Sequence, residues 1–188
     1  MMESLRGQFL IAGKSLRDPN FHKSVVLMVE HGSEGAMGLI VNRPSTVSIS
    51  DALSEHFQLP EIEDLVYIGG PVEPSALFIV HNRDDLDHAD PPIVPGVYVG
   101  SSPEAFETVV RSAIDQESPL QFRIFCGCAG WSGGQLEGEI ARGDWFTLPA
   151  TAEIIFNENP YDIWDMVRTQ LHRFPSIPRE NHENPEWN

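Results

Sequence analysis

The chain has 188 residues, of which 41% are hydrophobic and 21% charged, a length and composition that suit one globular domain. Its 12 basic and 28 acidic residues give a formal charge of −16, which disfavours binding to nucleic acid because such binding depends on cations that displace phosphate counterions. No apolar run approaches the ~20 residues of a membrane-spanning helix. The first residues also lack the basic and apolar regions of a signal peptide. We therefore expect a cytoplasmic protein with no membrane partner.

The first half of the chain alternates short apolar segments with turns, which is the pattern of β-strands. The predicted strands are 8–12, 24–29, 37–41, 65–68 and 76–81. A helix is predicted at 49–57, where Ser48 can serve as N-cap and apolar residues recur at helical spacing. The acidic, proline-bearing segment 82–96 is expected to be a loop.

The second half contains the best-marked helix, which begins at Pro103 after the N-cap Ser102. The other expected elements are strands at 97–100, 120–126, 145–148 and 154–156, a glycine-rich turn at 127–134, a short helix that ends near Gly143, and a last helix that begins at Pro160. Strands outnumber helices, and some follow each other directly. This order favours a mixed α/β sheet, partly closed, with three to four external helices.

The domain organisation is predicted to be simple. Residues 1–171 contain no repeat and no Gly/Ser-rich linker, so we expect a single domain. Residues 172–188 are polar and proline-bearing, with too little apolar surface to order themselves, and we expect a flexible tail.

The two cysteines, Cys126 and Cys128, stand too close together for an unstrained disulfide and suit reduced thiols in a cytosol. With a distant histidine they could bind zinc, but structural zinc sites usually show two compact ligand pairs. Cys128 could be a nucleophile if a helix N-terminus lowered its pKa, yet no neighbouring base can be assigned to it. We therefore predict no metal, no cofactor and no catalytic residue.

The segment 122–141 has the outline of a phosphate-binding loop, since a strand, a glycine-rich turn and a helix follow one another. It lacks both the Gly-Lys-Ser/Thr ending and the Gly-x-Gly-x-x-Gly pattern of nucleotide-binding motifs. Packing of Trp131 under a tight turn accounts for these glycines more simply. A small anionic ligand at this turn is the alternative.

Two polar turns follow predicted strands, and they are Asn42-Arg43-Pro44 and Gly69-Gly70-Pro71. If the two strands are parallel neighbours, both turns lie at the same edge of the sheet, where crevices form. We take this crevice, together with the turn at Trp131, as the candidate site for a protein or small-molecule partner. The candidate residues are Asn42, Arg43, Pro44, Gly69, Gly70, Pro71, Gly130, Trp131, Gly134 and Gln135.

Ordered motifs along residues 5–171 resemble the bacterial YqgE/AlgH family. They are FLIA (9–12), Asp18-Pro19, the SVV strand, EHGSEGAMGLIVNRP (30–44), GGPV (69–72), AGWSGGQLEGEI (129–140), Trp145 and the final helix with Trp164. The resemblance implies a compact α/β domain with a bifurcated sheet folded into a pseudo-barrel. The sequence departs from the family at Cys128, where an aromatic residue is common, so this cysteine is a poor candidate for a shared function.

Members of that family are described as uncharacterised or as candidate transcriptional regulators. We favour a non-enzymatic binding module, or a regulatory module that acts indirectly, because no helix-turn-helix is visible and the net charge disfavours DNA. The first alternative is an enzyme that acts on a small molecule in the Asn42/Gly69/Trp131 crevice, which should gather several titratable groups there. The second is direct DNA contact, which requires the basic residues of the first 23 positions on one face. These are Arg6, Lys14, Arg17 and Lys23.

Overall fold

The computed structural model describes residues 4–55, 63–84, 91–115 and 120–173. In these ranges the strands are β1 (Gln8–Ala12), β2 (Val25–Gly32), β3 (Gly35–Ile40), β4 (Pro44–Ser48), β5 (Leu65–Ile68), β6 (Val72–His81), β7 (Tyr98–Gly100), β8 (Phe122–Ser132) and β9 (Trp145–Pro149). The helices are α1 (Ile49–Leu53), α2 (Pro103–Asp115), α3 (Gln135–Ala141), α4 (Ala152–Ile155) and α5 (Ile163–Arg173), with 3-10 turns at Pro19–Phe21 and Pro160–Asp162.

The long strand β8 is the branch point of one mixed sheet. The main path has the order β4-β5-β8-β3-β2-β1-β9, and β8 also pairs with β6, which in turn pairs with β7. The expected mixed, bifurcated α/β fold is confirmed. The path ends at β4 and β9 and is not closed into a barrel.

The glycines of β8 serve a bent strand, so the predicted turn at 127–134 is wrong for most of its length. Gly127 lies in the left-handed region, with φ of 70°, in the middle of the strand. A Cβ there would lie 2.6 Å from the carbonyl oxygen of Gly70. The bend separates the part of β8 that pairs with β5, up to Cys126, from the part that pairs with β3, from Ala129 onward.

The strands that precede the two polar turns are not parallel neighbours, contrary to the condition that the sequence suggested. Both border β8, but β3 is antiparallel to it and β5 is parallel, so they approach each other end to end. Their ends meet, since Ile40 N donates to Gly69 O at 2.8 Å and Ile68 N donates to Arg43 O at 2.9 Å. The two turns therefore adjoin through a geometry that the sequence did not suggest.

Two helices begin at the predicted N-caps. Ser48 Oγ accepts a hydrogen bond from Asp51 N, and Ser102 Oγ accepts one from Ala105 N. The first of these helices ends at Leu53, and positions 56 and 57 of the longer predicted helix lie outside the described residues.

Three other elements differ from the sequence pattern. Pro44–Ser48 forms an unexpected strand, and β6 begins at Val72, four residues before its predicted start. Residues 154–156, expected to be extended, instead form the end of the short helix α4 and its C-cap. Residues 154–156 are buried, and a short apolar run does not distinguish a buried strand from a buried helix. The predicted tail begins within α5, which continues to Arg173, and the rest of it lies outside the described residues.

Alternate residues of β1 point to opposite faces of the sheet, as strand geometry requires. Phe9 and Ile11 belong to the main core, which α4 and α5 cover, whereas Leu10 and Ala12 belong to a second core on the other face. A third core lies between α1, α2 and strands β5, β6 and β8. In the described ranges no helix has the length and apolarity to cross a bilayer.

Candidate functional site

The two lysines of the chain lie beside the same helix, α5, although they come from different loops. Lys14 follows the end of β1, and Lys23 precedes β2. They border adjoining cavities of about 490, 420 and 290 Å³, all of which have Trp164 in their walls. We call these three cavities the basic groove. Its basic and histidine residues are Lys14, Lys23, Arg43, Arg168, His22 and His172.

Trp164 is the central residue of the basic groove. Two cations contact its ring, with Lys23 Nζ at 5.2 Å and Arg168 Cζ at 4.5 Å from a ring centroid. The residue is only 9% exposed. Its Nε1 is buried and has no hydrogen-bond partner in the part of the chain that the structure describes. A buried donor in this state costs about 1–3 kcal/mol, and a ligand acceptor that reached it would recover this cost.

The Asn42-Arg43 turn holds the loop that presents Lys23. Asn42 Oδ1 accepts from Val25 N, and Asn42 Nδ2 donates to Lys23 O, both at 2.9 Å. The guanidinium of Arg43 donates to the carbonyl oxygens of Asn20 and His22. Partial burial lowers the pKa of Arg43, which nevertheless remains protonated at neutral pH. These contacts fix the loop on both sides of Lys23.

Lys23 itself adopts a left-handed backbone conformation, with φ of 52°. For a residue with a Cβ this conformation costs about 1–2 kcal/mol. Such strain persists only where surrounding contacts enforce it, and it is common at functional sites. The hydrogen bonds from Asn42 supply that enforcement here.

The charge of the basic groove is opposite to that of the whole chain, which carries −16. The ammonium groups of Lys14 and Lys23 form no hydrogen bond or ion pair with any residue in the described ranges. Asp165 is acidic and lies in the walls of the two smaller cavities. The two lysines and Arg43 come from elements other than α5.

The largest cavity has an apolar side. Ile11, Phe146 and Leu171 contribute to its wall, and Phe146 is 45% exposed on strand β9. Ser15 Oγ donates to Gly143 O at 3.0 Å, so the hydroxyl in this wall is engaged by the backbone.

The candidate residues predicted from the sequence fall into separate places. Asn42, Arg43 and Pro44 line the smallest cavity of the basic groove. Gly69 and Gly70 pack against the bend of β8, where a Cβ on Gly70 would lie 2.2 Å from the carbonyl of Cys128. Pro71, the last residue of that turn, is exposed.

The candidate residues near Trp131 belong to a different cluster. Trp131 Nε1 and Trp145 Nε1 both donate to Glu139 Oε2, at 2.9 and 2.8 Å, and Gln135 Nε2 donates to Glu139 Oε1 at 3.0 Å. Gly130 lies within β8, and Gly134 precedes α3 with φ of 78°. This cluster packs in the second core, whereas the Trp164 side chain packs in the main core.

Sequence reasoning missed Lys14, Lys23, Trp164 and Arg168 as parts of one site. For the two lysines, the sequence feature that could have indicated a site is the enrichment of basic residues near the start of the chain. The i,i+4 spacing of Trp164 and Arg168 is the signal for a contact between them. Arg6, a third member of the early basic set, donates instead to the carbonyl oxygens of Pro92 and Pro91, at 2.9 and 2.8 Å.

The cysteines have the properties of structural thiols, with Cys128 buried and Cys126 partly buried. Burial raises the pKa of both Cys126 and Cys128, and the charge of Glu73 raises that of Cys128 further. At neutral pH both are therefore protonated and poorly nucleophilic. Within the described ranges no three His, Cys, Asp or Glu side chains converge as a metal site would require.

Comparison with known proteins extends over the whole domain. The AlgH-like family model matches residues 9–174. A UPF0301 protein of Chlorobaculum tepidum is 34% identical over 158 residues, which cover 84% of this chain and 82% of the relative. A UPF0301 protein of Shewanella frigidimarina is 39% identical over 183 residues, which cover 90% and 92%.

Two solved structures share the fold. The solution structure of the AlgH protein from Pseudomonas aeruginosa has a TM-score of 0.72 and 30% identity, with 94% of each chain covered. The crystal structure of protein DIP2367 from Corynebacterium diphtheriae has a TM-score of 0.70 and 26% identity, with 94% of this chain and 90% of that chain covered. These matches confirm the resemblance that the ordered sequence motifs suggested.

Proposed function

The chain belongs to the AlgH-like family, and we propose that it is a non-enzymatic binding module that holds a small anion in the basic groove. The observation that carries this proposal is Trp164, a buried indole whose Nε1 lacks a partner among the described residues. It lies beneath the cationic ends of Lys23 and Arg168. An oxyanion supplies the acceptor and the negative charge that this arrangement lacks.

The ligand is a small anion and not a nucleic acid. A single DNA-binding module covers about 600–1,000 Å² or more of protein surface. A polyanion of that size would extend beyond the basic groove onto a chain whose formal charge is −16. A cavity of about 490 Å³ instead has the size of a small-molecule site.

Two observations favour binding over catalysis. The hydroxyl of Ser15, in the cavity wall, donates to a backbone carbonyl and is paired with no histidine base among the described residues. The thiols of Cys126 and Cys128 have raised pKa values and lie in β8.

Both cysteines are unbridged, which suits the reducing cytoplasm, where we place the protein. A regulatory role would then be indirect, through the occupied groove.

The test is a titration with pyrophosphate at low ionic strength, followed through the indole N–H resonances in nitrogen-15 correlation spectra. A Trp164→Phe variant identifies the Trp164 signal by its loss. We expect this signal to shift on titration, and Lys23→Gln to weaken binding about tenfold, the effect of losing one charged hydrogen bond.

The matched control is Arg111→Gln, which removes one positive charge from an arginine that is 74% exposed and paired with Glu107 on α2. It should leave the affinity unchanged. The proposal would be contradicted if pyrophosphate did not shift the Trp164 signal, or if Lys23→Gln and Arg111→Gln lost affinity equally. The second outcome would show that net charge alone, and not the basic groove, determines binding.

A further inference from the structure

The basic groove has two chemically different ends, and this asymmetry specifies its ligand further. The largest cavity has the apolar side chains of Ile11, Phe146 and Leu171 in its wall. The smallest has the polar side chains of Asn42 and Arg43. A ligand that fills the whole groove must therefore match an apolar surface at one end and a polar surface at the other.

The cations lie where the cavities adjoin. Lys14, Arg168 and Trp164 border both the cavity of about 490 Å³ and its neighbour of about 420 Å³. Two positive charges and one buried N–H donor suit a single oxyanion, a phosphate or a carboxylate. The apolar side chains begin beside this set, so an oxyanion held there can carry an apolar group into the larger cavity.

Phe146 supplies the apolar surface for that group. Its Cα pairs with that of Ile11 between β9 and β1, so the two side chains stand on the same face of the sheet. Ile11 is completely buried in the main core, whereas Phe146 is 45% exposed at the cavity. An aromatic or branched aliphatic group placed there would cover the Phe146 ring and gain the free energy of apolar burial.

We infer that the ligand is an amphiphilic small anion, in which an aromatic or branched aliphatic group is attached to one oxyanion. The oxyanion lies at Lys14, Arg168 and Trp164, and the apolar group lies against Phe146 and Leu171. This inference rests on the proposed function, since it requires that the basic groove bind an anion at all.

The experiment compares inorganic phosphate with phenyl phosphate and phenylacetate by calorimetry on the full chain. We expect phenyl phosphate to bind at least about tenfold more tightly than inorganic phosphate, as burial of part of an aromatic ring predicts. Tight binding of phenylacetate as well supports a site for either oxyanion. Nuclear Overhauser effects from the phenyl protons should reach the methyl groups of Leu171.

Two variants locate the apolar group. Phe146→Ser should remove most of the preference for phenyl phosphate over inorganic phosphate. Its control is Ile68→Ser, which shortens an apolar side chain of similar exposure, 42%, that lines none of the three cavities. This control should preserve the preference. Circular dichroism of each variant verifies that it is folded.

The outcomes separate this inference from the proposed function. Equal affinity for inorganic phosphate and phenyl phosphate overturns the amphiphilic ligand but leaves the anion-binding module in place. A preference that survives Phe146→Ser overturns the assignment of the apolar group to the large cavity. If no probe, including pyrophosphate, binds at low ionic strength, both proposals are wrong.

Discussion

Arg168 lies one helical turn after Trp164 on α5, and its guanidinium carbon is 4.5 Å from a centroid of the Trp164 ring. Side chains at i and i+4 are neighbours on a helix surface, so the helix itself brings this pair together. The ring belongs to the main core, which holds it in place. The helix thereby keeps a cation beside a buried aromatic donor, which is the arrangement on which the proposed anion site depends.

Replacement of Arg168 tests this relationship. Arg168→Gln should lower the affinity for phenyl phosphate about tenfold, because a charge-assisted hydrogen bond is lost. The free energy of unfolding should fall by no more than about 1 kcal/mol, since a partly exposed cation–π contact has about that strength. Calorimetry and urea unfolding measure the two effects.

The matched variant is Arg168→Lys, which keeps the charge but not the planar fork of the guanidinium. It should retain more affinity than Arg168→Gln. Equal affinity of both variants and the original chain would exclude Arg168 from the site.

The backbone of Lys23 gives a prediction that separates strain from charge. Lys23→Gly and Lys23→Ala both remove the ammonium group that lies over Trp164, so both should weaken anion binding to the same extent. Glycine adopts a φ of 52° without the Cβ penalty. The glycine variant should therefore be more stable than the alanine variant by about 1 kcal/mol.

Urea unfolding of the two Lys23 variants, analysed with a common slope, provides the measurement. An alanine variant as stable as the glycine variant would show that the strain at this position is absent in solution. Different affinities in the two variants would mean that the loop conformation, in addition to the charge, determines binding.

The sequence predicts the elements of this fold better than their connections. Ser48 and Ser102 mark helix starts because a side-chain oxygen at the N-cap is a local requirement that the structure retains. The bent strand at Gly127 could not be predicted in the same way, because a glycine-rich segment can form either a turn or a bent strand. The bend becomes evident only when β3 and β5 are seen to meet beside it.

The site was predictable only in part, for a related reason. The Asn42-Arg43-Pro44 turn was identified as polar and near a crevice, and it does line a cavity. Its contacts with the loop around Lys23 depend on the packing of β2 against β3, and no local pattern encodes them. The positive φ of Lys23 could not be predicted either, because residues other than glycine rarely adopt it. Only the pair on α5 follows from sequence spacing alone.

Glu139 tests whether the Trp131 cluster has a structural role. Its carboxylate accepts hydrogen bonds from Trp131, Trp145 and Gln135, and Glu139→Gln would place an amide donor among these donors. We expect the free energy of unfolding to fall by about 2–3 kcal/mol, as for loss of hydrogen bonds to a charged group that is partly buried. Affinity of the folded variant for phenyl phosphate should not change.

The control for Glu139 is Glu107→Gln, which removes the carboxylate of an exposed i,i+4 ion pair on α2. This change should alter the free energy of unfolding by less than about 0.5 kcal/mol. If Glu139→Gln weakens ligand binding in protein that remains folded, the site predicted from the sequence at Trp131 regains support, at the expense of the basic groove.

The cysteines give a prediction about pH. Burial raises the pKa of Cys126 and Cys128 above the ordinary value of 9.0, so each thiol ionises more readily in the unfolded chain than in the folded one. Their contribution to stability is therefore fully present below pH 9 and is lost as the pH rises through the higher folded pKa. Alkylation by iodoacetamide requires the thiolate, so the folded protein should react more slowly at pH 8 than a small free thiol does.

Mass spectrometry of the alkylated chain over a pH series measures both rates, and the same chain in urea serves as the unfolded control. Cys126 should react before Cys128, because it is partly exposed whereas Cys128 is buried. Rapid alkylation of Cys128 at pH 7, at the rate of the unfolded chain, would contradict its burial in β8. It would also reopen the possibility of a reactive thiol, since a lowered pKa is what catalysis by cysteine requires.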